Sequence, residues 1–87
     1  MLKVKVEQFE GVKNQFTIVT NIGTFFQSYN SVIALKDKRD GKIYLDKTYW
    51  DYSKTTTKYL NKFLYNNNNE TKAKIKSGEY ILTDLDN

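Results

Sequence analysis

The sequence predicts a single small α+β domain, an antiparallel β-meander of five or six strands with one or two helices packed on it. Three observations predict it. At the amino end Leu2, Val4 and Val6 alternate with Lys3, Lys5 and Glu7, the two-residue period of a half-buried strand. Asp40-Gly41 separates two β-rich runs and is a strong hairpin signal, because both residue types tolerate the positive φ of a tight turn. After Trp50 the apolar spacing changes to that of a helix. At 87 residues the chain is one domain over residues 1–87. Its core is modest, so a partner or a second copy would add useful buried surface.

The elements follow in order. After the first strand, Gly11 and Asn14 bracket a turn, and Gln15–Thr20 (QFTIVT) is β-branched and aromatic, a second strand. Asn21-Ile22-Gly23 reads as a tight turn in which glycine supplies positive φ. A third strand runs from Thr24 to about Ser28, and a fourth from Ser31 to Lys36, either separate from the third or continuous with it across Tyr29-Asn30. The Asp40-Gly41 hairpin leads to a fifth strand from Lys42 to Asp46. Ser53 is an N-cap candidate for a helix from Lys54 to about Tyr65, with Thr56, Leu60, Phe63 and Leu64 on one face. Thr55-Thr56-Thr57 are poor helix formers, so tertiary packing must hold the first turn. Asn66–Asn69 reads as a polar loop. Residues 70–77 read as helix or strand. Lysines alternate with Thr71, Ala73 and Ile75, but an Asn69 cap, a Glu70–Lys74 pair and Gly78 at the end favour helix. Glu79–Leu82 completes the sheet before an acidic tail.

Composition narrows the chemistry. Histidine and cysteine are both absent, which removes disulfides, thiolate nucleophiles, imidazole acid–base pairs and the usual transition-metal ligands. No metal site and no cofactor is expected, and the chain reads as a binding protein rather than an enzyme. No apolar run approaches a membrane span and no signal-peptide core opens the chain, so the expected location is cytoplasmic. Thirteen lysines and one arginine, Arg39, give a formal charge of +4. Lysine is a flexible point charge, unlike the bidentate arginine fork used for base readout.

Two groups of residues stand out. Lys54, Lys58 and Lys62 recur at i, i+4 and i+8 on one helix face, although like charges at that spacing oppose helix formation. With Tyr52 and Tyr65 they form the candidate partner-binding surface, the alternative being a solvated helix face. Segment 36–76 holds eleven basic and five acidic residues, a local +6, which suits phosphate or an acidic protein. Tyr44, Tyr49, Trp50 and Tyr52 cluster beside Lys42, Lys47 and Lys54. Such aromatics can stack bases, but packing beneath the helix is the better reading of Trp50. The second group is polar: Gln27, Tyr29, Ser53, Thr55 and Thr56 lie in two hydroxyl- and amide-rich stretches that supply either a pocket or turns and caps.

The segments FFQSYNSVIALKD and IYLDKTYWDYSKTTTKYLNKFL resemble a family of small uncharacterised bacteriophage and mobile-element proteins. The shared pattern is a QSY-x-S/T strand (Gln27, Ser28, Tyr29, Ser31), a hairpin, then WDYS-x-TT-x-K-Y and a following FL (Trp50 to Tyr59, Phe63, Leu64). The resemblance spans about residues 24–82 and implies no established activity. It implies a phage accessory protein acting stoichiometrically, an inhibitor or modulator of a host nucleic-acid-processing or defence complex such as CRISPR or restriction. It also implies that the two hydroxyl stretches meet, with Tyr29, Tyr52 and Thr56 at one site. The partner so implied is a host protein; the lysine face keeps direct nucleic-acid binding as the alternative, and the modest core keeps a homodimer as a further arrangement.

Overall fold

The computed structural model describes residues 4–9 and 11–85. Leu2 and Lys3, read above as part of the first strand, lie outside them. Six strands and two helices follow the order β1 (Val4–Gln8), β2 (Gln15–Thr20), β3 (Gly23–Ser28), β4 (Ser31–Asp37), β5 (Ile43–Asp46), α1 (Lys54–Leu64), α2 (Asn68–Ser77) and β6 (Tyr80–Thr83). They form one sheet in sequence order, β1-β2-β3-β4-β5-β6. The α+β class expected from the sequence is therefore the observed one.

The first five strands pair antiparallel. The sixth does not continue the meander: β6 lies parallel to β5. Parallel neighbours need a long crossover, and the α1–α2 segment supplies it.

Turn chemistry sets the strand ends. Tyr29 adopts φ 56 between β3 and β4, so these are two strands rather than one. Gly41 adopts φ 72 in the β4–β5 turn, where Asp37 and Asp40 organise the loop. The Asp37 carboxylate accepts from the Arg39 backbone and guanidinium, and Asp40 accepts from the Lys42 N–H and the Tyr44 hydroxyl. Those bonds hold both carboxyl groups below their ordinary range. Gly23 supplies the positive φ expected of it, at 152, and meets a second requirement as well. A Cβ there would lie 2.2 Å from the Lys36 carbonyl oxygen, so β3 and β4 approach closely only because this residue has none.

One sheet face carries the core. Phe26, Ala34 and Leu45 are opposed across neighbouring strands and cluster with Ile33, Leu60, Phe63, Leu64 and Tyr80. The Phe26 ring stacks on Phe63 of α1 at 5.7 Å. A register shift at Phe26/Gln27 lets Ile33 and Ala34 both reach this core, as a bulge does. Lys36 is on the same face, and its ammonium donates to the Phe63 carbonyl and sits 4.3 Å from the Phe63 ring centre. Burial lowers its pKa.

The helix after the asparagine run starts earlier than the sequence suggested. Asn67, not Asn69, is the N-cap, and with Glu70 it forms a reciprocal capping box. Asn68 and Asn69 are therefore helical. Glu70 is engaged in that box, and Lys74 pairs instead with Glu79 at 3.6 Å.

Candidate functional site

The start of α1 is built by a short chain of hydroxyls. Ser53 is extended at φ −148, and its Oγ accepts from the Thr56 N–H at 3.1 Å. The same oxygen donates to Thr56 Oγ1 at 3.0 Å. Thr56 Oγ1 in turn lies 2.9 Å from Ser28 Oγ of β3. Ser28 and Thr56 are fully buried, so this bond ties the helix N-terminus to the sheet from within. Thr57 Oγ1 donates back to the Ser53 carbonyl at 2.9 Å. The threonine run thus has a tertiary role that compensates for its poor helix propensity.

The approach to the helix is fixed by Asp46. Its carboxylate accepts from the backbone N–H groups of Thr48, Tyr49 and Leu85. It therefore holds both the turn before α1 and the segment after β6. Tyr49 and Trp50 pack against the core, the role favoured for Trp50 from sequence. Tyr52 is exposed and makes an edge contact with Tyr49 at 5.4 Å.

The predicted polar cluster divides. Ser53 and Thr56 belong to the hydroxyl chain, joined by Ser28. Gln27 points to the opposite sheet face by strand alternation, and its side-chain amide donates to the Tyr29 carbonyl. Tyr29 donates its N–H to the Asn14 carbonyl, and Thr55 is exposed. Tyr29 and Tyr52 take no part in the Thr56 hydrogen bonds. The two hydroxyl stretches do meet, but through Ser28 and Thr56 and as structure.

The predicted binding surface also divides. An open cleft of about 500 Å³ lies between the outer side of α1 and the start of α2. Lys54 and Lys58 line it with Tyr52 and Asn61, and Lys72 enters from α2. Asp51 is an acidic member of the same lining. Lys62 lies outside the lining, with its ammonium 5.1 Å from the Tyr59 ring centre. Tyr65 caps the far end of α1 at φ 59. It is 89% exposed, with the Lys36 ammonium 4.9 Å from its ring. Lys72 belongs to the basic 36–76 segment and lies apart in sequence from Lys54 and Lys58. Only the docking of α2, through the Thr71–Asn61 side-chain bond, brings it to the cleft. The cleft offers cations, an aromatic edge and amides, a set that suits phosphate or carboxylate groups.

Among the described residues no group of three or more acidic side chains is placed to hold a metal ion. No helix there is long and apolar enough to cross a membrane.

The chain matches a family of unknown function (DUF8033) over residues 4–80. It belongs to that family. The match runs from the first residue of β1 to the first of β6, so the meander, the hydroxyl chain and both cleft-forming helices are family territory. No curated protein matches the chain, and no solved structure does.

Proposed function

We propose that this protein acts by stoichiometric binding, and that the cleft between α1 and α2 is where it grips an anionic partner. The observation that supports this reading most is the convergence of Lys54, Lys58 and Lys72 on one open cleft. Like charges brought together on two helices destabilise the fold slightly, so their grouping is better accounted for by a ligand of opposite charge. In the phage setting implied by the resemblance, the partner is an acidic face of a host nucleic-acid-processing or defence complex. The interaction takes place in the host cytoplasm, and the protein modulates or inhibits that complex by occupying it. Direct, sequence-indifferent nucleic-acid binding is the second reading, favoured by the exposed Tyr52 beside the lysines.

The two readings separate in a salt titration against single- and double-stranded DNA. Direct phosphate contact gives an affinity that falls linearly with salt on logarithmic axes. No DNA binding at low salt leaves the protein partner alone in play. Replacing Lys54, Lys58 and Lys72 by Glu is then expected to abolish capture of the host complex with the thermal midpoint little changed. Unchanged capture by the folded triple variant would sink the assignment of this cleft.

A further inference from the structure

The sheet has a second apolar face. Register places Val6 opposite Ile18, Ile18 opposite Phe25, Phe25 opposite Leu35, Leu35 opposite Tyr44, and Tyr44 opposite Ile81. These six side chains form one unbroken row across all six strands. Alternation puts the row on the side away from Phe26, Ala34 and Leu45, hence away from α1 and α2. Val4 and Phe16 extend it along β1 and β2. Val6 is 59% exposed, while Leu35 is only 5% exposed between its large neighbours Phe25 and Tyr44. An antiparallel sheet with one covered face normally turns polar residues outward. Here the uncovered face repeats the apolar pattern of the covered one, the mark of an interaction surface.

We propose that this face binds a second copy of the same chain, the two sheets packing face to face in a two-fold dimer. Charge distribution favours this occupant. The protein is basic overall, yet the strands contain just two lysines, Lys5 and Lys36. Both fall on the helix side of the sheet, so two positively charged molecules can join here without stacking like charges. At the rim Arg39 is matched by Asp37 within its own chain. The area approaches the lower bound for a specific dimer. Strand spacing of about 4.8 Å and a rise of about 3.3 Å per residue give a flat footprint on the order of 400–500 Å². Side-chain relief raises that toward the ~600 Å² per partner at which specific dimers begin. A two-fold axis in the plane between the sheets lays one apolar row on its copy, and aligned sheet packing accommodates their twist.

Sedimentation equilibrium of the full chain, with Val6→Lys, Ile81→Lys and the pair combined, tests this. Both positions lie at the ends of the row on edge strands, where a lysine chain can reach water in the monomer. The expected result is a dimer for the parent chain, weakened on the order of a hundred-fold or more in the double variant, because each substitution occurs twice in a symmetric interface. Far-UV circular dichroism should be unchanged, and Lys58→Glu on the opposite side should leave the dimer intact. A parent chain that stays monomeric at every attainable concentration overturns the proposal. So does a dimer indifferent to folded Val6→Lys/Ile81→Lys, or a monomer whose open face is occupied by a different protein.

Discussion

Thr56→Val is the most informative single perturbation of the fold, because it removes one hydroxyl while nearly preserving shape. Ser28 and Thr56 are fully buried and 2.9 Å apart. With valine in place, Ser28 Oγ keeps no side-chain partner among those described, at a cost of about 1–3 kcal/mol for a stranded buried hydroxyl. Ser28→Ala costs less, roughly 0.5–1.5 kcal/mol, since Thr56 retains its bond to Ser53. In the double variant no hydroxyl of that pair remains to be stranded. Its destabilisation should therefore fall short of the sum of the singles by about 1–2 kcal/mol. Urea unfolding of the four proteins measures the cycle, and each kcal/mol corresponds to about 4–8 °C in thermal midpoint for a domain of this size. Additivity within ~0.5 kcal/mol would show that the two hydroxyls are not coupled and would refute this account of how α1 is anchored.

Other substitutions probe separate features. Gly23→Ala forces a Cβ against the Lys36 carbonyl and should destabilise by about 2–3 kcal/mol through displaced backbone, seen as an early unfolding midpoint. Gln15 is fully buried, and neither end of its amide has a partner among the described residues. Gln15→Met should therefore raise stability by about 1–3 kcal/mol, and a loss of stability would show that the amide is paired. The Arg39 hydrogen bonds lower the Asp37 pKa from its ordinary 3.8. Its contribution is thus present above that value and lost as pH falls through the depressed one. Asp37→Asn should be less stable than the parent near neutrality, with the gap closing in acid, and a pH-independent gap would contradict the assignment.

The meander was legible because its strands alternate or run β-branched and its turns carry glycine or Asp-Gly. α1 was legible to within a residue from Ser53 and the spacing of Thr56, Leu60, Phe63 and Leu64. The sense of β6 was not, since EYIL reads the same in either direction and the crossover was unknown. The start of α2 was missed because four consecutive asparagines read as a loop. The reciprocal signal was nevertheless present in Asn67 and Glu70 three residues on. Lys72 needed the α1–α2 docking before it could join Lys54 and Lys58. Alternation alone predicts Val4 and Val6 half-buried, because it assumes that a helix covers the apolar side, yet both are exposed. In β1 and β2 the larger apolar residues instead face away from the helices. That inversion was visible in the side of QFTIVT bearing Phe16 and Ile18, but only the placement of α1 against Phe26 tells which side is covered.

The two proposed surfaces lie on opposite sides of one sheet, which makes them physically separable and functionally linked. Face-to-face pairing through the apolar row buries the neutral side and leaves both α1–α2 clefts on the outside, pointing away from each other. Such a dimer is bivalent toward anionic sites that it can span, and linked sites gain affinity without any new contact, typically by about 10²–10⁴-fold where the geometry permits. The Val6→Lys/Ile81→Lys chain keeps its cleft and loses its second copy. It should match the parent for a small polyanion free in solution, yet bind a dense immobilised polyanion at least ~10-fold more weakly. Both measurements need fixed ionic strength, because the variant adds two positive charges and phosphate-like contacts are salt-dependent. Equal affinity on the dense surface would show that the cleft works as a single site, whatever the oligomeric state. Weaker binding in solution as well would place part of the anion site on the sheet face, contrary to the division between a basic helical side and a neutral apolar one.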